Sequence, residues 1–386
     1  MGGPVALAGC AGYKRETVEE QVERLLELLG GPGAFAGSDG SVFVKVNALF
    51  AAAPEKGVTT HPEVARAVVR QFQRVTGRIT IGDSPGGPFT PAYLRRVYEK
   101  TGIAQVARET GARLGLDTSA RQVRVGAGRS LRTVTICDTM AGADCLISVS
   151  KFKTHMFMNI SGAIKNMFGA VPGGNKFAYH SMFPGEAEFA DLLVDVLLAS
   201  APDLSLVDAI VGMDGNGPRA GRLVELGVLA AGRDALAVDT VMMEIIGIDP
   251  EKNKPLAAAI GRGLCSGEIA DIEILGSRPE ELSFSGFVPP DRRSIGERVP
   301  DFLVRPLGSL TALRPTPVPG RCTECGRCVE VCPAGAIALE SGVAVVDRRR
   351  CRHCYCCHEL CEQDAIELLR PTVMRILRAR HAPAKD

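Results

Sequence analysis

Cys322-Thr-Glu-Cys325-Gly-Arg-Cys328-Val-Glu-Val-Cys332-Pro333, followed after a spacer by Cys351-Arg-His-Cys354-Tyr-Cys356-Cys357-His-Glu-Leu-Cys361, decides how the last part of this 386-residue chain folds. The first run is C-x2-C-x2-C-x3-C-P, a spacing in which a tight loop offers three thiolates to one iron–sulfur cube and turns the fourth away. The second run repeats it. Cys351 lies 29 positions after Cys322, and the same offset relates Cys325 to Cys354, Cys328 to Cys357, Cys332 to Cys361, Ile337 to Ile366 and Leu339 to Leu368. In chains built this way the fourth cysteine of each run ligates the other cluster. The expectation is therefore two 4Fe-4S clusters, one on Cys322, Cys325, Cys328 and Cys361 and the other on Cys351, Cys354, Cys357 and Cys332. Cys356 is left as a bystander or a spare ligand, because the offset pairs Cys357 with Cys328. Zinc knuckles also use C-x2-C pairs, but they would not produce the duplicated C-x3-C. One asymmetry stands out: Pro333 follows Cys332, whereas Glu362 follows Cys361 and restores a backbone N–H that proline lacks.

The remaining cysteines, Cys10, Cys137, Cys145 and Cys265, are scattered singly, which is the usage of a reducing, cytoplasmic protein and not of a disulfide scaffold. Leu7-Ala8-Gly9-Cys10 has the look of a lipoprotein cleavage box, but no basic residue and too short an apolar stretch precede it. Val5 to Gly9 is read instead as a first strand. A net charge of +1 with 23% charged residues gives no general attraction to nucleic acid or membrane, and no apolar run reaches the length of a membrane span. Partners must come from local sites.

At this length two domains are expected. Residues 1–286 read as an α/β domain with a mainly parallel sheet and flanking helices. The strands are Val5–Gly9, Ser41–Val46, Arg78–Gly82, Arg121–Val125, Leu131–Ile136, Cys145–Val149, Leu204–Asp208, Val228–Ala231 and Ile272–Leu275. Helical spacing of Val18, Val22, Leu25 and Leu26, of Val64, Val68, Val69 and Phe72, of Phe189–Leu198 and of Ala235–Ile246 alternates with them. Residues 287–320 hold seven prolines and read as a linker. Residues 321–370 are the small α+β dicluster domain of ferredoxin-like type, and 371–386 a tail with one short helix. Arg348, Arg349, Arg350 and Arg352 surround Cys351 as either a solvated face or a docking patch for an acidic redox partner.

Open α/β sheets bind ligands beyond the carboxyl ends of their strands. The residues there are Lys45 and Asn47, Asp83 and Ser84, Lys151, Lys153 and His155, and Asp208. Gly82–Gly87 lies between a strand and a helix capped by Thr90-Pro91, where backbone N–H groups can hold an anion or merely turn the chain. The run from Ser161 to His180, rich in glycine beside Lys165, Asn166 and Lys176, reads as a mobile loop that closes over a site. Lys153, His155, Lys165 and His180 are the candidates for catalysis. Lys45, Asn47, His61, Asp83, Ser84, Lys151, Asn166 and Asp208 are the candidates for holding an anionic substrate.

Lys45-Val46-Asn47, Thr59-Thr60-His61-Pro62, Gly82-Asp83-Ser84-Pro85, Lys151-Phe152-Lys153-Thr154-His155, Gly162-Ala163-Ile164-Lys165-Asn166, His180, Asp208, Gly215-Asn216-Gly217-Pro218 and the Cys-x-Cys-Cys run together resemble the domain-of-unknown-function family 362, often fused to a dicluster ferredoxin. The resemblance covers nearly the whole chain, with Val46 standing where the family commonly has proline. It implies an iron–sulfur protein with a polar site in the α/β domain and names no substrate. The expected function is a redox enzyme in which clusters exchange electrons with a donor or acceptor protein and an anionic substrate occupies the α/β domain. The alternative is an electron-transfer and docking module of a larger complex without its own chemistry.

Overall fold

The computed structural model describes residues 3–290 and 313–369, and the chain divides into two compact units, Met1–Pro290 and Asp291–Asp386. The first unit begins with β1 (Val5–Gly9), so that strand forms as expected, with Cys10 buried behind it. There follow α1 (Arg15–Leu28), β2 (Val42–Lys45), α2 (Pro62–Gln73), β3 (Ile79–Gly82), α3 (Pro91–Lys100), α4 (Ile103–Thr110) and β4 (Arg113–Leu114). Next come β5 (Ala120–Arg124), β6 (Thr133–Cys137), α5 (Asp138–Ala141), β7 (Cys145–His155), β8 (Asn159–Ser161), α6 (Ala163–Asn166), α7 (Gly173–Met182) and α8 (Glu186–Ser200). The unit closes with β9 (Leu204–Asn216), β10 (Ala220–Gly232), α9 (Ala235–Ile245), α10 (Lys254–Gly261) and β11 (Ile274–Gly276).

The helices form where apolar residues recur on one face, and in α2, α3 and α9 a polar side chain caps the first turn. In α2, Pro62 occupies the first helical position, and His61 Nδ1 accepts from Glu63 N at 3.2 Å. Val64, Val68, Val69 and Phe72 are then buried, each worth about 1.5–3 kcal/mol of transfer free energy. Thr90 caps α3 in the same way, accepting from Tyr93 N.

Nine strands make one sheet in the order β11-β1-β10-β9-β7-β2-β3-β4, with β8 pairing β7 off that path. The run β9-β7-β2-β3-β4 is parallel throughout, and β10 is antiparallel to both its neighbours. From β2 the chain builds outward to β3 and β4 on one side, then returns to add β7 and β9 on the other. The boundary between β2 and β7 is therefore a topological switch point, where open α/β sheets leave a crevice.

Three elements differ from the sequence expectation. β7 continues past its apolar run to His155 and is buried along its whole length, because Lys151 and Lys153 find partners inside the protein. β9 and β10 form a hairpin whose outer halves, poor in apolar residues, pair with each other through a register shift between Glu225 and Val228. The Ser161–His180 run is not an open loop: it holds α6, a short 3-10 turn over Met167–Ala170 and α7, mostly buried. Asp239 accepts from Ala163 N at 2.7 Å and Ile164 N at 3.1 Å, fixing the start of α6. The glycines serve close packing, since a Cβ on Gly162 would collide with Asp239 and one on Gly169 with Lys45 and Asp83.

The second unit is two copies of one pattern, 29 residues apart. β12 (Arg314–Pro317), α11 (Arg327–Glu330) and β13 (Ile337–Glu340) are repeated by β14 (Val343–Val346), α12 (Cys356–Glu359) and β15 (Ile366–Leu369). The copies exchange strands, β12 pairing with β15 and β13 with β14. Positive φ recurs at the same offset: Glu324 and His353, Gly326 and Tyr355, Gly335 and Asp364. Only Gly does this without strain, so Tyr355 and Asp364 are held by their surroundings. The linker expected over 287–320 is thereby shortened at both ends. Residues 314–317 are the first strand of the first repeat, an edge pairing that tolerates proline. At the other end Phe287 packs on Phe152, and Val288 N donates to Asp214 Oδ2 at 3.0 Å. The expected tail helix lies outside the described residues.

Candidate functional site

The switch point between β2 and β7 carries a buried polar network. Lys45, at the end of β2, is fully buried and lies 2.8 Å from Asp83 Oδ1, just beyond β3. Lys45 Nζ also donates to Val46 O at 3.0 Å and Asn166 Oδ1 at 3.3 Å. Asp83 Oδ2 accepts from Ala48 N at 2.8 Å. Asn166 is the hub: its Oδ1 accepts from Asn47 Nδ2 as well, and its Nδ2 donates to Ser148 Oγ at 2.8 Å. Lys153 Nζ donates to Asn47 Oδ1 at 2.7 Å and to Val58 O. Five of the expected residues, Lys45, Asn47, Asp83, Lys153 and Asn166, thus meet in one hydrogen-bonded group. Charges in such a setting persist only when paired and hydrogen-bonded.

Ser84 joins this group to α7 through a residue to which the sequence reading gave no role. Lys176 Nζ donates to Ser84 O at 2.5 Å, to Ser84 Oγ at 3.1 Å and to Val171 O. Burial lowers the Lys176 ammonium from its ordinary value to about 8, against the opposing pull of Asp83 and Cys137. Burial likewise pushes the neighbouring Cys137 thiol up to about 11. The sequence placed Lys176 only in the expected Ser161–His180 loop, because its partner Ser84 lies 92 positions away. The Gly82–Gly87 loop is not an open anion cradle: Asp83 N donates to Tyr98 Oη, Ser84 N to Gly169 O and Gly86 N to Leu49 O.

A second cluster sits midway along β7 and β9, where Lys151 pairs in register with Asp208. Lys151 Nζ lies 3.0 Å from Asp208 Oδ2 and donates to Tyr13 Oη at 2.5 Å, while Tyr13 Oη donates to Asp208 Oδ1 at 2.8 Å. His61 N donates to Asp208 Oδ2, and the His61 ring stacks on Tyr13 with centroids 3.6 Å apart. Burial lowers the pKa of both Lys151 and His61, with Asp208 opposing in each case. Tyr13 escaped the sequence reading. The other two expected histidines lie apart: His155 Nδ1 accepts from Phe157 N and Met158 N, and His180 stacks on Phe189 at 4.2 Å beside Phe157 and Phe168. The register shift between Lys151 and Lys153 separates the three polar side chains of β7 into different neighbourhoods. Lys165, within the single turn of α6, is half-buried and adds to the positive field at Lys176.

In the second unit thiols from both repeats lie close to one another. Cys328 is pushed up to about 11 by burial and then by Cys361, Cys325 and Cys322. Cys357 is raised by burial and then by Cys354, Cys351, Cys332 and Cys328. A small pocket is lined by Cys332, Cys351, Cys354 and Cys357, with Pro315, Ile337 and Val346 among its apolar walls. Among the described residues no three His, Cys, Asp or Glu side chains converge as ligands of a single ion. A cubane asks instead for four thiolates spread around a cavity, which these residues fit. Ala336 N donates to Cys332 Sγ at 3.2 Å and Ala365 N to Cys361 Sγ at 3.3 Å, the same N–H···S contact in each repeat. Cys356 is also buried at that wall, its thiol donating to Cys354 O.

The family model described as domain of unknown function (DUF362) matches residues 42–244, which span β2 to α9 and every residue of the two polar clusters except Tyr13. The chain belongs to the DUF362 family. The model described as 4Fe-4S binding domain matches residues 315–338, most of the first structural repeat, so this DUF362 chain also carries a 4Fe-4S binding domain. Thylakoid-associated protein sll1697 of Synechocystis sp. is 32% identical over 292 residues, 74% of this chain and 88% of that protein. A component of the ion-translocating oxidoreductase complex of Methanosarcina acetivorans is 43% identical over 47 residues, 12% of this chain and 18% of that protein. Ferredoxin-like protein in vnf region of Azotobacter chroococcum is 48% identical over 33 residues, 8% of this chain and 51% of that protein. The lactate racemase apoprotein of Thermoanaerobacterium thermosaccharolyticum aligns in structure with a TM-score of 0.38 and 17% identity, covering 60% of this chain and 54% of that one. Among the described residues of the DUF362 chain no helix is long and apolar enough to cross a membrane.

Proposed function

We propose that this DUF362 protein is an iron–sulfur redox protein holding two 4Fe-4S clusters and exchanging single electrons between a redox partner and an anionic organic substrate bound by its α/β unit. The observation that carries the reading is the 29-residue structural duplication, which sets two quartets of thiols in equivalent loops. Cys322, Cys325, Cys328 and Cys361 would hold one cluster; Cys351, Cys354, Cys357 and Cys332 would hold the other. When bound, such clusters supply one-electron transfer at a potential tuned by hydrogen bonds to sulfur and by burial. Ala336 N and Ala365 N are the donors that do this tuning from the chain's side.

In the α/β unit, Lys153 and Lys165 supply positive charge toward an anion, and Asn47 and Asn166 orient it from the switch point. One histidine or lysine among His155, His180, Lys153 and Lys165 donates the proton that accompanies reduction. The mutual satisfaction of Lys45, Asp83, Asn166 and Asn47 favours a second reading, in which these groups only brace the strand ends and the α/β unit is a docking module.

Iron and acid-labile sulfide on the anaerobically reconstituted chain test the clusters: about eight of each per chain are expected. A screen of carboxylates and phosphate esters by thermal shift tests the site. Stabilisation of the wild type that disappears in Lys165→Met, with cluster content unchanged, supports the substrate reading. Equal stabilisation of both proteins, or none in either, leaves the docking module as the function of the α/β unit.

A further inference from the structure

The duplication provides an internal control for surface charge around the cysteines. In the second repeat the first ligand position is framed as Arg348-Arg349-Arg350-Cys351-Arg352; the equivalent stretch of the first repeat is Pro319-Gly320-Arg321-Cys322-Thr323. The backbone is the same in both, with Cys322 N donating to Val318 O and Cys351 N to Asp347 O. Spacing and fold therefore do not require the arginines. Arg348, Arg349, Arg350 and Arg352 are all exposed, and among the described residues none is paired with a carboxylate side chain. The one acid in the stretch, Asp347, is engaged with the backbone, its Oδ1 accepting from Arg349 N at 2.8 Å. Arg321, by contrast, is neutralised by Glu367.

The position of this charge matters as much as its size. Cys351 is half-exposed, whereas Cys354 and Cys357 of the same quartet are buried. Arg350 lies against Gly335, beside the Ala336 N–H that bonds to Cys332 Sγ, and so the basic surface reaches both half-buried cysteines of the second quartet. Four like charges within five positions repel one another, which an ordinary solvated face avoids by mixing signs. Placed over the accessible edge of a redox centre, they raise the local concentration of an anionic partner and its association rate by about 10- to 1,000-fold at low salt.

The geometry points to Arg348, Arg349, Arg350 and Arg352 as the docking surface for an acidic one-electron redox protein, which exchanges electrons at the edge formed by Cys351 and Cys332. The electron passes as a single outer-sphere equivalent: the partner loses one and the second-quartet centre gains one, or the reverse, with no bond formed or broken. This inference rests on the two-cluster reading.

The test uses the full-length holoprotein, with flavodoxin hydroquinone as the acidic donor and reduced methyl viologen as the cationic one, in stopped flow at low and high salt. In the quadruple variant Arg348→Gln, Arg349→Gln, Arg350→Gln, Arg352→Gln the rate with flavodoxin at low salt should fall at least about 10-fold and lose its salt dependence. The rate with methyl viologen should hold or rise. The single variant Arg349→Glu should show the same trend in smaller measure, so the result does not depend on the quadruple variant folding. Wild-type iron content near half the expected value overturns the two-cluster reading and the proposal with it. Full iron with unchanged flavodoxin rates in both variants overturns the docking surface alone, as does salt-sensitive binding of duplex DNA or RNA that the variants lose without any change in those rates.

Discussion

Asp83→Asn removes one charge from a pair sealed inside the α/β unit, and the structure sets the size of the effect. Lys45 Nζ and Asp83 Oδ1 lie 2.8 Å apart with side-chain exposures of 0% and 3%. At an effective dielectric of about 20, two unit charges at that separation attract by roughly 6 kcal/mol, most of which offsets the cost of taking them out of water. With the carboxylate gone the ammonium keeps its desolvation and loses its partner, so the single variant should be less stable by about 3–5 kcal/mol. At ~2 °C or more per kcal/mol for a unit of this size, the melting point should drop by about 6–15 °C. Lys45→Met in the same chain removes the stranded charge, and the Asn amide oxygen still serves Ala48 N; the double variant should regain at least about half of the loss. Urea unfolding followed by far-UV circular dichroism measures this, with visible absorption reporting the cluster unit separately. A single-variant cost below about 1 kcal/mol, or a double variant whose losses simply add, refutes the view that the two charges depend on each other.

Gly169→Ala places a Cβ against Lys45 and Asp83 and should cost about 1–3 kcal/mol, whereas Gly174→Ala, with open space at its Cβ, should be neutral or gain up to about 1 kcal/mol; paired melting curves decide. Lys176 titrates near 8 when folded and 10.5 when unfolded, so between those values the unfolded chain binds the extra proton and stability should rise with pH, by at most about 3 kcal/mol from this group. Urea midpoints across that window should rise in the wild type and flatten in Lys176→Met; an equal rise in both places the titration elsewhere. Cys357→Ala should lose one cluster's worth of iron and Cys356→Ala none, read by iron analysis and electron paramagnetic resonance, and the reverse outcome overturns the assignment by offset.

Much of this protein was legible in the chain because the signals are local. The cysteine spacing and the 29-residue offset mark two equivalent cysteine loops, and the same offset places every positive-φ residue shared by the repeats. Apolar runs and caps located β1, β2 and β3 within a residue, the buried faces of α1 and α2, and the start of α3, because burial of one face and satisfaction of the first N–H groups are short-range requirements.

What tertiary structure decided is which distant groups satisfy one another. The outer half of β7 reads as polar loop until Asp208 and Asn47 are brought to meet Lys151 and Lys153. Glycines that read as hinges at 162 and 169 are spaces for Asp239 and for the Lys45–Asp83 pair. The strand at 314–317 was hidden by its prolines, and its pairing with 366–369 exists only because the two repeats exchange strands. Tyr13 had no sequence signal, and Lys176 was legible only as part of a loop, for the same reason: a buried charge is acceptable only where the fold delivers its partners, and Lys151 and Ser84 lie 138 and 92 positions away. Short-range order was written in spacing and period, while the polar site was assembled by the sheet order that sets β2 against β7.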